Sequence, residues 1–504
     1  MLTHYFCQNV DCTTVLLATV VFVLVKVYLD RRTRARLPPG PLGLPVVGSL
    51  PFIVSHKGGA HRAMVQMAER YGDVFSVYFG SKLIVVLNGY RAVREALANR
   101  GDFFSDRPSL IVVDLLTGGK GIAEANGRNW REQRRFFLKS FRTLELGSSS
   151  RLEYRILEEC RHLVSGIALL EGALFDPTDL LLNAVSNIIC CVVFGKRFDY
   201  SDEKFLSLLQ MLHELMQSVG NAAAIHFIPA LKYVMRGTFK EIEQKRDRVF
   251  DFERTIVQEH LESLDPDNPR DFVDAYLLEM RKRKATGKES SFADDDYMVV
   301  TLSDLFTAGT ETTSTTLKWG LLYLCLQTDV QQKAQEEIDR VVGSHRQTEM
   351  ADQANLPYVQ AVICEIQRMS SVFPFSVPHC SSAEAELFGY TIPKNTEILP
   401  NLWSVHHDSN VWKEPEKFIP ERFLDETLEK VVKPEEFIPF GIGPRVCLGE
   451  QLGKMELFLF LSNMLQNFRF ELDGDCIVDK ITTPIEGLTL SPLPYKVRAI
   501  RRIL

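Results

Sequence analysis

The stretch FGIGPRVCLG (440–449) contains the cysteine best placed for chemistry. Cys447 follows Arg445 by two positions, lies between Gly443 and Gly449, and precedes the apolar run MELFLFL. So many glycines disfavour regular structure up to Gly449, where the pattern predicts that a helix begins. A thiolate at that point is favoured by backbone N–H groups and by the positive end of the helix dipole. Read alone, such a sulfur is a nucleophile, a metal ligand or a buried small hydrophobe, the last being the commonest fate of a lone cysteine. Structural zinc is disfavoured because no second Cys or His stands at ligand spacing, and a nucleophile would need a base that the local sequence does not supply.

Three further groups stand out by spacing. FTAGTETTSTTLKWGLLYLCL (306–326) reads as an apolar helix crowded with threonines, whose hydroxyls back-bonding to carbonyls explain most of them. Glu311 beside Thr312 is not explained that way. EIQR (365–368) sets Glu365 and Arg368 one turn apart, an ordinary surface ion pair by default. NWREQRRFFLKSF (129–141) puts Trp130 and Arg134 at i and i+4 on one helix face.

The elements that must hold these residues are mostly helices. The chain has 504 residues, 45% hydrophobic and 24% charged, enough for one large core. Apolar residues recur at helical spacing in stretches such as 240–262 and 328–342. DVFSVYFGSKLIVVLNG (73–89) and ELFGYTIPKNTEILPNL (386–402) each read as a β-hairpin. The expected class is mainly α with small β-sheets. A net charge of −7 gives no sign of nucleic-acid binding. Ten scattered cysteines form no disulfide framework and point to a reducing compartment.

The amino terminus predicts one transmembrane helix. TTVLLATVVFVLVKVYL (13–29) is near the short limit for spanning ~30 Å of hydrocarbon, and Lys26 lies close enough to one end to snorkel. Arg31, Arg32, Arg34 and Arg36 follow, with no Lys or Arg before the run, so the positive-inside rule leaves the rest cytosolic. A cleaved signal peptide fits poorly, since the charge is on the wrong side and no small-residue cleavage site follows. The expected organisation is an anchor with a basic stop-transfer segment over 1–36, a proline-rich linker over 37–50 and a catalytic domain over 51–504. Pro38, Pro39, Pro41 and Pro45 make the linker extended and stiff, and its interleaved Leu and Val suggest a strip packed on the domain surface.

A single axial thiolate on a haem iron needs only one cysteine, and neighbouring glycines let the loop approach a flat macrocycle. The loop resembles the haem-binding segment of the cytochrome P-450 family, its pattern met by Phe440, Gly443, Arg445, Cys447 and Gly449. Four other motifs of that family occur in the expected order, so the resemblance covers nearly the whole chain. It implies the cytochrome P-450 fold, haem b (iron protoporphyrin IX) with Cys447 as axial ligand, and NADPH electrons delivered by NADPH-cytochrome P-450 reductase. Ala308-Gly309-x-Glu311-Thr312-Thr313 is similar to the oxygen-activation motif, in which Glu311 and Thr312 relay protons and the small pair leaves space for dioxygen and substrate. Glu365 and Arg368 with Arg422 of PERF resemble the family's buried structural triad. Trp130, Arg134, Arg445 and His379 are implied donors to the haem propionates, with Lys120 as a further contributor. Arg128, Arg131, Arg135, Lys139 and Arg142 form either a solvated face or the patch that docks an acidic reductase.

The implied activity is insertion of one oxygen atom of dioxygen into a lipophilic substrate. The segments AGTETTSTTLKWGLLYL, EIQRM and GYTIPKNTEILPNLWSVHHD are similar to the animal microsomal branch that oxidises drugs, fatty acids and steroids. The implied site is therefore the endoplasmic reticulum membrane. Within that branch the wording leans toward long-chain or polyunsaturated fatty-acid hydroxylases and epoxygenases. Ecdysteroid, steroid or sesquiterpenoid hormone oxidation and xenobiotic oxidation are the alternatives, with a cytochrome b-type protein as a second candidate donor. An oxygen-independent haem-thiolate isomerase needs neither Thr312 nor a basic docking helix, and a haem sensor needs no proton relay. The expected substrate walls, 108–120, 205–234, 370–377 and 485–490, are nearly all apolar, and 222–234 is expected to dip into the bilayer.

Overall fold

The computed structural model of the chain describes residue 21 and residues 36–44, 46–143, 149–226, 235–287, 289–474 and 477–502. The expected anchor over 13–29 lies, apart from Val21, outside the described residues, as does 227–234 of the segment expected to meet the bilayer. Among the described residues, no helix is long and apolar enough to cross a membrane.

Twelve helices of seven residues or more carry the described part of the fold: α1 (Gly59–Tyr71), α2 (Ile111–Thr117), α3 (Gly127–Thr143), α4 (Ser149–Ala168), α5 (Thr178–Val193), α6 (Glu203–Asn221), α7 (Arg236–Ser263), α8 (Phe272–Thr286), α9 (Asp295–Leu326), α10 (Thr328–Val341), α11 (Pro357–Ser370) and α12 (Glu450–Asn467). The stretches expected to be helical over 240–262 and 328–342 are α7 and α10. α9 begins at Asp294, whose side chain accepts from the Asp296 N–H. It then crosses the interior, with most of its residues buried, as are those of α5 and α12. Such helices are apolar all round because neighbours cover every face.

One expectation changes at the α5–α9 contact. The sequence suggests that Ala308 and Gly309 leave space for dioxygen and substrate, but a Cβ on Gly309 would stand 2.3 Å from Ile189 Cδ1. Gly309 is small because α5 packs against it, and only Ala308, which is exposed, stands open beside Glu311.

Four small sheets lie beside the helices. β1 (Val74–Phe79) and β2 (Lys82–Leu87) form the hairpin expected over 73–89, paired from Val74↔Leu87 to Phe79↔Lys82. The second expected hairpin divides in two. Phe388 (φ 51) and Gly389 (φ 81) both take positive φ, which reverses the chain at once between β5 (Ala385–Leu387) and β6 (Tyr390–Ile392). The fully buried β7 (Glu397–Pro400) instead runs parallel to β2 and antiparallel to β4 (His379–Cys380). β3 (Leu174–Phe175) and β8 (Phe468–Leu472) flank β11 (Val497–Arg501), while β9 (Pro484–Glu486) pairs with β10 (Leu490–Pro492).

The proline strip lies along the first sheet through backbone contacts, whereas Leu42, Leu44 and Val46, expected to pack, are exposed. Ser76 donates from its backbone N–H to Pro39 O and from its hydroxyl to Pro38 O. Ser49 N–H reaches Tyr78 O, so the linker continues the β1 edge.

Candidate functional site

The cysteine loop is shaped by two glycines with left-handed backbone, Gly441 (φ 77) and Gly443 (φ 86). At Gly443 a Cβ would also stand 1.9 Å from Leu97 O, so no other residue fits there without moving backbone. The Val446 N–H then donates to Gly443 O and the Cys447 N–H to Phe440 O, both at 3.0 Å. Gly449 caps α12 with an ordinary φ of −87. A Cβ there would make only an ordinary contact with Cys447 Sγ, at 3.9 Å.

Cys447 is the exposed cysteine of the seven described; Cys160, Cys190, Cys191, Cys325, Cys364 and Cys380 are buried. Protein nevertheless surrounds it closely, and burial pushes its thiol above the usual range although the Gly449 N–H and Arg134 pull the other way. A sulfur that is both open and enclosed lies at the wall of a cavity. The Gly449 N–H favours the thiolate as expected from the sequence, but in the fold desolvation outweighs it. A metal would reverse that balance by binding the deprotonated form.

Cations gather beside the loop. Arg134 Nη2 donates to Val446 O at 2.8 Å. Arg445 donates to the carbonyls of Ser105, Ile122, Ala123 and Ala125, with its guanidinium carbon 3.9 Å from the centre of the Trp130 ring. Arg107, not singled out by sequence, donates to the carbonyls of Ala123, Val377 and Pro378. Burial, then the neighbouring Arg107, push Arg445 down to about 8, while burial lowers Arg107 to about 10. A guanidinium does not give up its proton in a protein, so the real demand of this cluster is for an anion. Glu124 lies near both arginines, but burial pushes its carboxyl up.

Trp130 Nε1 is buried and has no hydrogen-bond partner among the described residues. An orphaned N–H among under-compensated guanidiniums suits a buried dicarboxylate, so Trp130, Arg134 and Arg445 would suit the propionates of a haem that Cys447 would ligate. His379 fits less well. Its Nδ1 lies 2.6 Å from Phe104 O and so carries the proton. Burial, then Arg107, hold the ring neutral, which leaves Nε2 as an acceptor. Lys120 is bound elsewhere, 2.9 Å from both Asp294 and Asp296, and does not join the cluster.

α9 supplies the other wall. Ala308 and Glu311 are exposed and Thr312 half-buried on an otherwise interior helix, so this face borders a cavity. The Thr312 hydroxyl donates to Ala308 O at 2.8 Å, the Thr316 hydroxyl to Thr312 O and the Ser314 hydroxyl to Thr310 O, the back-bonding expected of such a helix. Two contacts tie this wall to the cysteine side. Asp304 Oδ2 accepts from the Ile122 and Ala123 N–H groups, the same peptides whose carbonyls Arg445 holds. Burial raises its carboxyl to about 7. Phe440 and Thr313 both approach Gly453 of α12, at 3.5 and 3.9 Å from the position of a Cβ.

Glu456, one turn beyond Gly453, is buried and bonds to Thr313, with Oε1 left unpartnered. Burial pushes its carboxyl up to about 8 from an ordinary 4.5. The folded protein therefore keeps a proton that the unfolded chain releases between those values. Stability falls as pH rises through that window and levels off above about 8. Glu456→Gln removes the slope. Its stability, read by thermal unfolding, should exceed the parent's from pH 6 upward and meet it near pH 4.5, the gap reaching of the order of 4 kcal/mol at pH 8. Parallel curves for the two proteins would refute this.

Glu365, Arg368 and Arg422 come together as expected. Arg368 forks onto both Glu365 oxygens at 2.8 Å, with both side chains wholly buried, and Arg422 Nε reaches Oε1 at 3.2 Å. Sequence reasoning missed His406, whose carbonyl takes Arg368 Nη1 and whose Nε2 accepts the Ile438 N–H at the head of the cysteine loop. It also missed Asp304 and Glu456, for which one signal existed: a lone acid in an apolar helix. Arg131, Arg135, Lys139 and Arg142 of α3 line a groove of about 640 Å³ that also reaches Trp130, Arg134 and Pro444 of the cysteine loop.

A family profile described as Cytochrome P450 matches residues 38–499. The chain is 40% identical over 511 residues to Cytochrome P450 2U1 of Homo sapiens, covering 97% of this chain and 93% of that protein. It is 41% identical over 473 residues to Cytochrome P450 2B4 of Oryctolagus cuniculus, with 94% and 95% covered. It is 40% identical over 501 residues to Cytochrome P450 2J5 of Mus musculus, with 99% and 98% covered.

Proposed function

The chain belongs to the cytochrome P450 family, and from that premise we propose that Cys447 is the axial ligand of its haem and that α9 delivers the protons. The protein is a monooxygenase that uses haem with cysteine-thiolate ligation and electrons drawn from NADPH through a reductase. When bound, the haem supplies dioxygen activation, with the thiolate favouring O–O cleavage. Gly443 lets the loop turn so that Cys447 meets the iron. Trp130, Arg134 and Arg445 bind the propionates, and His379 buttresses them through Phe104 O. Phe440, Gly449 and Ala308 keep the two faces close and open. Thr312 and Glu311 hold and pass protons. The observation that carries this reading is the orphaned Trp130 N–H among guanidiniums that form no ion pair among the described residues, beside the open Cys447 sulfur.

The basic groove on α3 serves the reductase, whose acidic surface its arginines complement, and a cytochrome b-type protein is a second donor for the same groove. Residues 13–29 anchor the protein in the endoplasmic reticulum membrane with residues beyond the stop-transfer arginines on the cytosolic side. Exposed Leu42, Leu44, Phe52 and Val54 extend that apolar contact.

The substrate is lipophilic, and a long-chain or polyunsaturated fatty acid is its first candidate. Reconstituted enzyme, reductase and NADPH are given fatty acids, ecdysteroids and other steroids, sesquiterpenoids and xenobiotics, and products are identified by mass spectrometry. A hydroxylated or epoxidised fatty acid formed in preference to the rest supports the assignment. Turnover confined to another class replaces it.

A further inference from the structure

The β9–β10 hairpin is fastened to α9 at several points. Trp319 Nε1 donates to Leu490 O at 2.8 Å, Lys318 Nζ to Ser491 Oγ at 3.2 Å and the Tyr495 hydroxyl to Lys318 O at 2.5 Å. One more contact reaches the proposed proton carrier itself. Glu311 Oε1 accepts from the Thr489 hydroxyl at 3.2 Å and from the Thr315 hydroxyl at 3.4 Å. Thr489 is 6% exposed, and its neighbour Leu490 donates its N–H to Val372 O in the 370–377 turn. The wall that meets α9 thus ends on an acid that is otherwise exposed.

We propose that Thr489 is a positioning residue for the oxygenation, holding the Glu311 carboxylate through its hydroxyl and so making proton delivery depend on the 484–492 hairpin. This rests on the reading of Glu311 as a proton carrier. The chemistry is local. A glutamate on a helix has three side-chain torsions, and without a donor its carboxylate samples several rotamers. Two hydroxyls on one oxygen select one of them, and a hydrogen bond to a charged group is roughly twice as strong as one between neutral groups. Thr315 lies one turn along the same helix and moves with Glu311, so it supplies no external reference. Thr489 comes from a separate element and does.

Failure of proton delivery has a balanced outcome: NADPH, a proton and dioxygen leave as NADP⁺ and hydrogen peroxide, with no oxygen inserted. The test compares Thr489→Val, Thr489→Ser, Glu311→Gln and the Glu311→Gln/Thr489→Val pair, each loaded with haem and supplied with reductase. The peroxide-to-product ratio should rise about tenfold in Thr489→Val, the factor one hydrogen bond to a charge is worth. Thr489→Ser, which keeps the hydroxyl, should retain the parent ratio. Thermal unfolding of the same four proteins gives a readout independent of turnover. The double variant should melt no lower than the more affected single one, because both remove the same contact. Parent-like coupling in Thr489→Val alongside an uncoupled Glu311→Gln overturns the positioning role alone. Parent-like coupling in both overturns it together with the reading of Glu311, even where the melting temperatures are non-additive.

Discussion

Cys447→Ser is expected to yield a folded protein whose reduced carbon-monoxide adduct lacks the red-shifted Soret band of thiolate ligation. Product formation should fall by about 1000-fold or more, a barrier increase of about 4 kcal/mol. The loop does not depend on the sulfur for its shape. Its turns come from Gly441 and Gly443, and the residue-447 N–H is held by Phe440 O whichever side chain follows. The side chain is exposed, so exchanging sulfur for oxygen disturbs little packing. What changes is the donor: a hydroxyl is a far weaker and harder ligand than a thiolate and supplies less electron density to the iron. No other described cysteine can substitute. Cys160, Cys190 and Cys364 are buried, and desolvation pushes each thiol further from ionisation. A Cys447→Ser protein with full haem loading that kept the thiolate band would show that another residue is the ligand.

The contrast between what spacing reveals and what it hides follows contact range. Phe440, Gly443, Arg445, Cys447 and Gly449 lie within ten residues, so their spacing encodes a loop and a helix cap, and their pattern carries the family resemblance that implies a ligand. Glu365 and Arg368 are one helical turn apart, so spacing gives them as an ordinary ion pair, and it is the resemblance that implies the burial they show. Gly309 was open to misreading because the residue that needs it small, Ile189, lies on a different helix. Thr489 and Glu311 are 178 residues apart, and nothing in TLSPLP suggests an acid nearby. The same distance explains Arg107, an unremarkable arginine in SDRPS until Val377 and Pro378 fold over it. The direction of the Cys447 shift was hidden for another reason. Local N–H groups and dipoles are visible in the sequence, whereas the opposing desolvation belongs to the whole fold.

Arg368→Ala is expected to remove most folded, haem-retaining protein at physiological temperature. Glu365 and Arg368 have no exposed side-chain surface, and their pairing is a bidentate fork at 2.8 Å on each arm. Removing one member of such a pair leaves a buried charge under-compensated, at a cost of about 3–5 kcal/mol. Arg422 and the Ile419 N–H still face Glu365, but both approach Oε1, and Oε2 loses the Arg368 bond. Arg368 also holds the carbonyls of His406 and Lys417 and lies 5.4 Å from the Trp412 ring, so truncation loses packing as well as charge. Against a typical total of about 5–15 kcal/mol, that loss takes a large share of the stability. Arg368→Lys should recover little, since an ammonium cannot reproduce the planar fork. The damage also has a direction. His406 links Arg368 to the Ile438 N–H, and the backbone from Ile438 runs through Phe440 to Cys447. In whatever fraction still folds, the thiolate-type carbon-monoxide band should therefore decline faster with temperature than the helical circular dichroism does. Equal decline of the two signals would make the triad a general brace of the core, with no particular hold on the cysteine loop.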